Sequence, residues 1–269
     1  MKQPIRRRSF LKGSLLGGAF LGLPTLGFTG RESSQEIVDK ISKPTKAYGE
    51  SVIGLAVDPI KQVKVGVIGT GNRGSGHVRQ FAALYPEKAT ITAICDIREE
   101  QVNKSAEFLK EKGIKKVATY SGNKDSWREM IKRDDIDVII IATPWNLHAE
   151  MCVESMRAGK HVGVEVPAAL TIEDCWNIVN TAEETQKNCM ILENVCYGNE
   201  ELWILNMVQK GVFGTLTHGE AAYIHNLRED YLFSNAYYNM WRIRHHVEMD
   251  GNLYPTHGLG PVAQYLSLI

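Results

Sequence analysis

The strongest indication of the fold is the segment Val63-Lys64-Val65-Gly66-Val67-Ile68-Gly69-Thr70-Gly71-Asn72-Arg73-Gly74. A short β-branched run leads into a glycine loop, and apolar residues then recur at helical spacing. In such a strand–turn–helix unit, Gly69 permits a tight turn, Gly71 lets the backbone approach a pyrophosphate, and Gly74 lets the helix pack closely on the strand. The stretch therefore predicts a dinucleotide-binding βαβ unit.

An acidic residue follows at the distance that this interpretation requires. The apolar run Ala89–Cys95 ends at Asp96, which lies 22 residues after Gly74. A carboxylate at this point accepts hydrogen bonds from the adenosine ribose and repels a 2′-phosphate, so it favours NAD over NADP. The guanidinium of Arg98, two residues on, weakens that preference.

The alternation of strands and helices continues downstream and predicts a doubly wound α/β domain over residues 62–180. The fully apolar run Val138–Ile141 is typical of a strand buried on both faces of a parallel sheet. Thr171 and Asp174 have the spacing of a helix capping box. The remaining predicted elements are helices at Glu99–Lys112, Ser126–Arg133, Leu147–Ala158 and Glu201–Lys210, and strands at Val117–Tyr120, His161–Val164 and Leu216–Ile224.

The first thirty residues predict an export signal. Arg7-Arg8-Ser9-Phe10-Leu11-Lys12 matches the twin-arginine pattern, and a weakly apolar, glycine-rich stretch follows it. Pro24 and the glycines make a membrane-spanning helix the poorer interpretation, although a basic amphipathic surface helix stays open. No standard cleavage site can be placed, so an uncleaved anchor also stays open. We expect export by the Tat route to the periplasm or cell envelope, with residues 31–61 as a tether.

Charge and cysteine content argue against a nucleic-acid-binding protein and against a cysteine metal site. The chain has 31 basic and 31 acidic residues, five of the basic ones within the first thirty, so the body of the protein is mildly acidic. That balance gives no support for nucleic-acid binding. The cysteines have no metal-ligand spacing, and we interpret them as buried thiols, with no metal site predicted. They are Cys95, Cys152, Cys175, Cys189 and Cys196.

Three motifs in the first half resemble the Gfo/Idh/MocA oxidoreductase family. They are Ala142-Thr143-Pro144 with His148, Ala158-Gly159-Lys160-His161-Val162, and Glu165-Val166-Pro167. The resemblance implies a Rossmann domain followed by an open, largely antiparallel sheet that supports the substrate. Dehydrogenases of that family usually have lysine at the position of Val166, where an ammonium assists proton transfer, so a simple dehydrogenase is not expected.

Blocks in the second half are similar to glycoside hydrolase family 109, in which Glu-Val-Pro is the usual form. They are Glu193–Tyr197, Ala222–Arg228, Met240–Arg242 and Gly251–Pro261. The resemblance implies an NAD-dependent α-N-acetylgalactosaminidase. In its reaction, hydride leaves C3 of the sugar for NAD, a base removes the C2 proton, the C1 substituent is eliminated, water adds, and the hydride returns.

The resemblance also implies the residues of the site. Proton transfer would involve His257, Tyr254 and Tyr197. The implied substrate contacts are Tyr223, Arg242, Tyr254, Pro255, Thr256 and His257. The implied cofactor contacts are Gly69, Gly71, Asn72, Arg73, Gly74, Asp96, Trp145, Asn146, Leu147, His148, Glu165, Val166 and Asn194.

Simpler interpretations stay open for several of these residues. Trp145 and Tyr223 could be core aromatics, Arg242 a solvated charge, Asn194 a helix cap and His257 a structural histidine. For the whole protein, the alternatives are an exported NAD(P)-dependent sugar oxidoreductase and a nucleotide-retaining fragment without turnover. The missing lysine at Val166 argues against the first.

The predicted architecture is thus a Rossmann doubly wound parallel sheet followed by an incomplete α+β open-sheet domain. We assign residues 1–30 to the signal, 31–61 to the tether, 62–180 to the NAD domain and 181–269 to a substrate domain that continues beyond residue 269. The expected partners are a glycan or glycoside substrate, the Tat translocase during export and a second copy of the chain through the sheet domain, with no nucleic acid.

Overall fold

The computed structural model describes Glu36, residues 49–234 and residues 236–267. The predicted signal over residues 1–30 and most of the predicted tether over 31–61 lie outside these residues. Residues 49–61 have no helix or strand, and the backbone carbonyl of Glu50 accepts a 2.9 Å hydrogen bond from Gln186 Nε2. Within the described part of the chain, no helix combines the length and apolarity needed to cross a bilayer.

Six parallel strands form one sheet. Its spatial order is β3-β2-β1-β4-β5-β6, and every neighbouring pair is parallel. From β1 the strand order grows outward to β3 on one side, and from β4 it grows outward to β6 on the other. The change of side between β1 and β4 creates a crevice at the carboxyl ends of these two strands. The strands are β1 (Val63–Ile68), β2 (Ala89–Cys95), β3 (Ala118–Tyr120), β4 (Val138–Ile141), β5 (His161–Val164) and β6 (Cys189–Ile191).

Helices cover both faces of this sheet, which confirms the predicted doubly wound fold. Alternate strand residues divide between two hydrophobic clusters. Val65 and Ile91 pack with the helices at 72–82 and 99–111, while Ile139 and Val162 pack with the helices at 126–131, 148–157 and 172–185. The central strands carry apolar residues on both faces and are therefore buried between the two layers of helices. The helices are α1 (Asn72–Ala82), α2 (Glu99–Glu111), α3 (Ser126–Ile131), α4 (His148–Arg157), α5 (Ile172–Thr185), α6 (Asn199–Gln209), α7 (Trp241–Glu248) and α8 (Pro255–Tyr265).

The sheet extends past the predicted domain boundary at residue 180. Helix α5 runs through that position, and β6 then adds a sixth strand beside β5. The N-terminus of α5 has the predicted cap, because Thr171 Oγ1 accepts a 3.0 Å hydrogen bond from the Asp174 backbone N–H. We therefore call residues 63–193 the sheet region and residues 194–267 the helical region.

The helical region departs from one prediction. Leu216–Ile224 is predicted as a strand, but the described residues between Gly214 and Leu227 form no strand. A strand needs a neighbour to receive its backbone hydrogen bonds, and no strand of the described chain pairs with this segment. Ile224 is 93% exposed, so the segment does not bury an apolar face.

Candidate functional site: a cavity at the carboxyl ends of the strands

The glycine loop forms the floor of the site and cannot accommodate side chains. Gly69 has φ +85°, and an added Cβ would lie 2.5 Å from the carbonyl oxygen of Ala142, the residue that follows β4. At Gly74 an added Cβ would lie 1.7 Å from the carbonyl oxygen of Gly69. Helix α1 begins without a side-chain cap and without an acidic residue in its first turn. Its free backbone N–H groups therefore face the crevice as an anion-binding end.

Asp96 is fixed by the backbone around it. Its Oδ2 accepts a hydrogen bond from the Thr70 N–H at 2.8 Å, and its Oδ1 accepts one from the Arg98 N–H at 2.9 Å. The Arg98 guanidinium lies 3.8 Å from Oδ1 and stacks 4.9 Å from the Tyr238 ring centre. Asp96 is thus linked to the glycine loop, and its remaining lone pairs can accept ribose hydroxyls.

Glu165, at the end of β5, connects the opposite wall to α1. Its Oε1 lies 2.6 Å from Arg73 Nε and 2.7 Å from His77 Nε2. Burial raises the pKa of this carboxyl, but the hydrogen bonds from His77 and Arg73 outweigh burial and hold the pKa below its usual range. Glu165 therefore keeps its negative charge at neutral pH.

His148 is buried between two backbone carbonyl groups. Its Nδ1 lies 2.7 Å from the Pro167 oxygen and its Nε2 lies 2.8 Å from the Thr143 oxygen. Burial lowers the pKa of this imidazole, against the two carbonyl groups, which favour the protonated ring. The ring lies between the loops that follow β4 and β5 and contacts both.

An aromatic cluster joins the sheet region to the helical region. Trp145 is 3% exposed, and its ring centre lies 5.3 Å from that of Trp241 and 5.5 Å from that of Tyr254. The buried guanidinium of Arg242 lies 5.2 Å from the Trp145 ring centre and 4.8 Å from that of Tyr254. Arg242 has no carboxylate partner among the described residues, and its Nε has no hydrogen-bond partner there. It is a buried cation with hydrogen-bonding capacity to spare.

Two side chains on the segment that opens α8 can exchange protons. Burial raises the pKa of the Tyr254 phenol to about 12, so this group remains protonated at neutral pH. His257 lies in the first turn of α8, and its Nδ1 is 2.6 Å from Oε1 of Glu193. The ring centres of the two residues are 5.0 Å apart.

Most of the predicted residues line one cavity of about 680 Å³, a size typical of small-molecule sites. Its wall includes Gly69, Gly71, Asn72, Arg73, Asp96, Trp145, Leu147, His148, Glu165, Val166, Asn194, Tyr223, Arg242, Tyr254 and His257. The sheet and the helical region thus contribute to the same space.

Five predicted residues do not line the cavity. Tyr197 closes the short helical turn Asn194–Tyr197 and is 49% exposed, so its position does not fit the predicted role in proton transfer. Gly74 lies behind the loop, where it serves packing. Asn146 and Pro255 are exposed, and Thr256 is half-buried beside the cavity.

The structure agrees with some of the simpler interpretations of individual residues and not with others. Trp145 is a core aromatic that also forms cavity wall, whereas Tyr223 is too exposed to be a core residue. Arg242 is buried and is therefore not a solvated charge. The cap of the turn after β6 is Glu193, whose side chain accepts the Val195 N–H, so Asn194 does not act as the cap.

Sequence reasoning missed several residues that shape the site. Glu193 stands directly before the predicted Asn194, and its position after an apolar strand is the signal that could have found it. His77 has no comparable signal, because only the fold brings it beside Glu165, 88 positions away. Tyr237, Tyr238, Trp241 and Arg244 also line the cavity.

The site fits a dinucleotide. The loop lacks space for side chains at Gly69 and Gly74, the N-terminus of α1 is uncapped, and Asp96 stands after β2. These features match a pyrophosphate at the loop and a ribose at the carboxylate. These features are those of a Rossmann-type nucleotide-binding protein.

Comparisons with known proteins relate both regions of the chain to known families. Residues 63–193 match the model of the Gfo/Idh/MocA family, described as an oxidoreductase family with an NAD-binding Rossmann fold. Residues 197–269 match the C-terminal domain of glycosyl hydrolase 109. The sheet region is therefore similar to the Gfo/Idh/MocA family and the helical region to glycoside hydrolase family 109, and NAD is the cofactor of the nucleotide domain.

Individual relatives agree with this assignment. An alpha-N-acetylgalactosaminidase from Shewanella oneidensis is 48% identical over 98% of this chain, and a glycosyl hydrolase family 109 protein from Shewanella pealeana is also 48% identical over 98%. The chain spans 56% of the length of each, so it corresponds to about half of these proteins.

Solved structures share the fold. An NAD-binding oxidoreductase from Klebsiella pneumoniae has a TM-score of 0.62 and 22% identity, with 76% of this chain and 53% of the other covered. A myo-inositol 2-dehydrogenase from Lactobacillus plantarum has a TM-score of 0.61 and 19% identity, with 77% of this chain and 57% of the other covered.

Proposed function

We propose that this chain carries the NAD site and the proton-transfer groups of a glycoside hydrolase that removes terminal α-linked N-acetylgalactosamine. The observation that carries the proposal is that His257, Tyr254 and the glycine loop face one cavity. A relative at 48% identity is named for this activity, which supports the substrate class.

NAD, when bound, supplies reversible acceptance of a hydride from C3 of the sugar. The chain's own contribution is binding, orientation and proton transfer. Gly69, Gly71 and the N-terminus of α1 would bind the pyrophosphate, and Asp96 the adenosine ribose. Val166 lines the cavity but has no proton to exchange, so proton transfer depends on other residues of the cavity wall, Tyr254 and His257.

Burial separates the roles of Tyr254 and His257. Because it raises the pKa of Tyr254 to about 12, this phenol keeps its proton at neutral pH and acts as a hydrogen-bond donor. His257 is then the base: it takes the C3 hydroxyl proton as the hydride leaves, releases it to solvent, and next takes the C2 proton, so that the C1 substituent is eliminated with a proton from solvent. Arg242 would hold the sugar oxygen that gains negative charge, since it is a buried cation without a carboxylate partner in the described chain.

The test uses the purified chain loaded with NAD and an aryl α-N-acetylgalactosaminide deuterated at C2. We expect release of the aglycone with exchange of the deuterium for solvent hydrogen. Complete retention of deuterium in the released sugar would contradict the elimination mechanism. Accumulation of NADH in step with oxidised sugar would instead support the sugar oxidoreductase.

A pair of matched variants tests the base. His257→Asn is expected to lower kcat by about 100- to 10,000-fold, the range for loss of a general base. His218→Asn makes the same change at an exposed histidine outside this cavity and is expected to leave kcat unchanged. Equal activity of the two variants would exclude His257 as the base.

Export by the Tat route is part of the same proposal and is supported by the motif Arg7–Lys12. An exported enzyme cannot draw on free NAD outside the cytoplasm, so loading before export suits a cofactor regenerated in every cycle. We expect the chain in the periplasm or cell envelope of a bacterial host, and the double variant Arg7→Lys/Arg8→Lys in the cytoplasm. Cell fractionation with immunodetection measures which compartment contains each protein. Unchanged export of the variant would contradict the proposal.

A further inference from the structure

We propose that Glu193 is the positioning residue of His257: it holds the imidazole with its proton on Nδ1 and directs the basic Nε2 into the cavity. The inference rests on the proposed function, because it assigns the atom that removes the substrate proton.

The backbone and the fold fix the carboxylate of Glu193. The residue follows β6, is 3% exposed, and its Oε1 accepts a 3.1 Å hydrogen bond from the Val195 N–H. The same oxygen lies 2.6 Å from Nδ1 of His257, although 64 positions separate the two residues. The distance is that of a charge-assisted hydrogen bond.

Helix α8 packs tightly on the turn that carries this carboxylate. A Cβ added at Gly260 would lie 2.5 Å from Sγ of Cys196 and 3.7 Å from Cγ of Glu193. Because a side chain at Gly260 would displace the helix, the glycine lets the first turn of α8 bring His257 onto Glu193. The pairing is therefore a product of close packing.

The chemistry of a carboxylate decides the tautomer. An ionised carboxylate only accepts hydrogen bonds, so the nitrogen beside it must carry the proton. With the proton on Nδ1, a neutral His257 has its lone pair on Nε2. That nitrogen has no hydrogen-bond partner among the described residues, and the ring lines the cavity. Nε2 is thus the atom available to accept a proton.

The charge of Glu193 also stabilises the product of that transfer. Its Oε2 is buried and has no hydrogen-bond partner in the described structure. No lysine or arginine of the described chain lies within ion-pair distance of this carboxylate. An imidazolium at His257 would be its direct counter-ion, as in a catalytic triad.

A second carboxylate–histidine pair, beside the cavity, shows the contrast. Glu165 contacts His77, but Arg73 already neutralises that carboxylate. His77 also does not line the cavity, whereas His257 does. Of these two pairs, the one formed by Glu193 is arranged to act on a bound molecule.

The first experiment reads the tautomer directly in the wild-type chain. Long-range ¹H–¹⁵N correlation spectra of histidine-labelled protein distinguish a protonated from an unprotonated ring nitrogen, and a His257→Asn sample assigns the signals. We expect neutral His257 with its proton on Nδ1. A proton on Nε2 overturns the inference, whatever the activity.

Two variants separate orientation from charge. Glu193→Gln keeps an oxygen that can accept from Nδ1 but removes the charge, whereas Glu193→Met removes both. We expect Glu193→Gln to retain the tautomer and lose about 10- to 100-fold in kcat with KM unchanged. Glu193→Met is expected to give a mixture of tautomers and a larger loss of kcat.

The outcomes distinguish this inference from the proposed function. Wild-type hydrolysis with the proton on Nε2 contradicts the role of Glu193 alone. A chain that has the Nδ1–H tautomer but does not hydrolyse the substrate contradicts the proposed function alone. If Glu193→Met keeps both the tautomer and kcat, Glu193 does not position His257. Near-ultraviolet circular dichroism checks that the variants are folded. If a variant is not folded, the tautomer of His257 in the NMR spectrum of the wild type tests the inference by itself.

Discussion

The sheet region and the helical region differ in where their side chains are buried. Both large hydrophobic clusters are built from residues up to Leu192, and the six strands satisfy one another's backbone groups. In the helical region, by contrast, large apolar side chains such as Ile224, Phe233 and Val247 are exposed. The first region therefore has its own core, whereas the second takes much of its position from contacts with the first.

The two regions contribute to the cavity in separate ways. The sheet region supplies backbone geometry, in the glycine loop and the strand ends. The helical region supplies reactive side chains, among them Arg242, Tyr254 and His257. Trp145 and Glu193 are the points of the sheet region on which those side chains rest.

The largest effect is expected at Trp145, since this residue joins the regions. Trp145→Ala removes a buried indole that contacts Trp241 and Tyr254, so we expect a loss of about 3–5 kcal/mol in the free energy of unfolding. Denaturant unfolding measures it. Trp203→Ala is the matched control, because Trp203 is 65% exposed on α6, and it should change stability by no more than about 0.5 kcal/mol. Equal losses in the two variants would mean that Trp145 does not join the regions.

A smaller effect is expected where the sheet region shapes its loop. In Gly74→Ala the new methyl group would overlap the carbonyl oxygen of Gly69, which should cost about 1–3 kcal/mol and weaken NAD binding. Gly76→Ala is the control on the same helix, because its Cβ would meet nothing within 4 Å. There the loss of glycine flexibility should stabilise the helix by up to about 1 kcal/mol. Thermal unfolding and NAD titration compare the two, and unchanged NAD affinity in Gly74→Ala would refute the packing argument.

The smallest effect is a pH dependence at Glu165. The folded chain lowers the pKa of this carboxyl, so its ionised form stabilises the fold fully above the unfolded value of about 4.3. That contribution is lost as the pH falls through the folded-state pKa. We expect the melting temperature of the wild type to fall more steeply below pH 5 than that of Glu165→Gln. Parallel curves would show that the contacts with Arg73 and His77 do not stabilise the ionised carboxyl.

The sheet region was largely predictable because its signals are local. Ala89–Cys95, Val138–Ile141 and His161–Val164 are strands at the predicted bounds, since short apolar runs between turn residues report burial directly. Leu216–Ile224 interrupts its apolar residues with His218, Gly219 and Glu220 and forms no strand. Whether such a segment pairs depends on a neighbouring strand, which the segment's own residues do not encode.

The site was predictable to the extent that its residues stand in motifs. Gly69, Asp96 and His257 were found through spacing or resemblance, and all three line the cavity. The partners that tune them were not found, because Glu193 and His77 reach their contacts only through packing of distant elements. Tyr197 shows the reverse error, since membership of a motif did not bring its ring to the cavity.

The hydrogen bond from Thr70 to Asp96 has a consequence for how tightly the cofactor is held. Together with the 2.7 Å bond from the Gly69 N–H to the Cys95 carbonyl, it sets the loop against β2 during folding. A loop that is already ordered loses little conformational entropy when a ligand arrives, so more of the contact energy remains as affinity. Such preorganisation favours slow dissociation, and it would let one molecule of NAD remain with the chain over many turnovers.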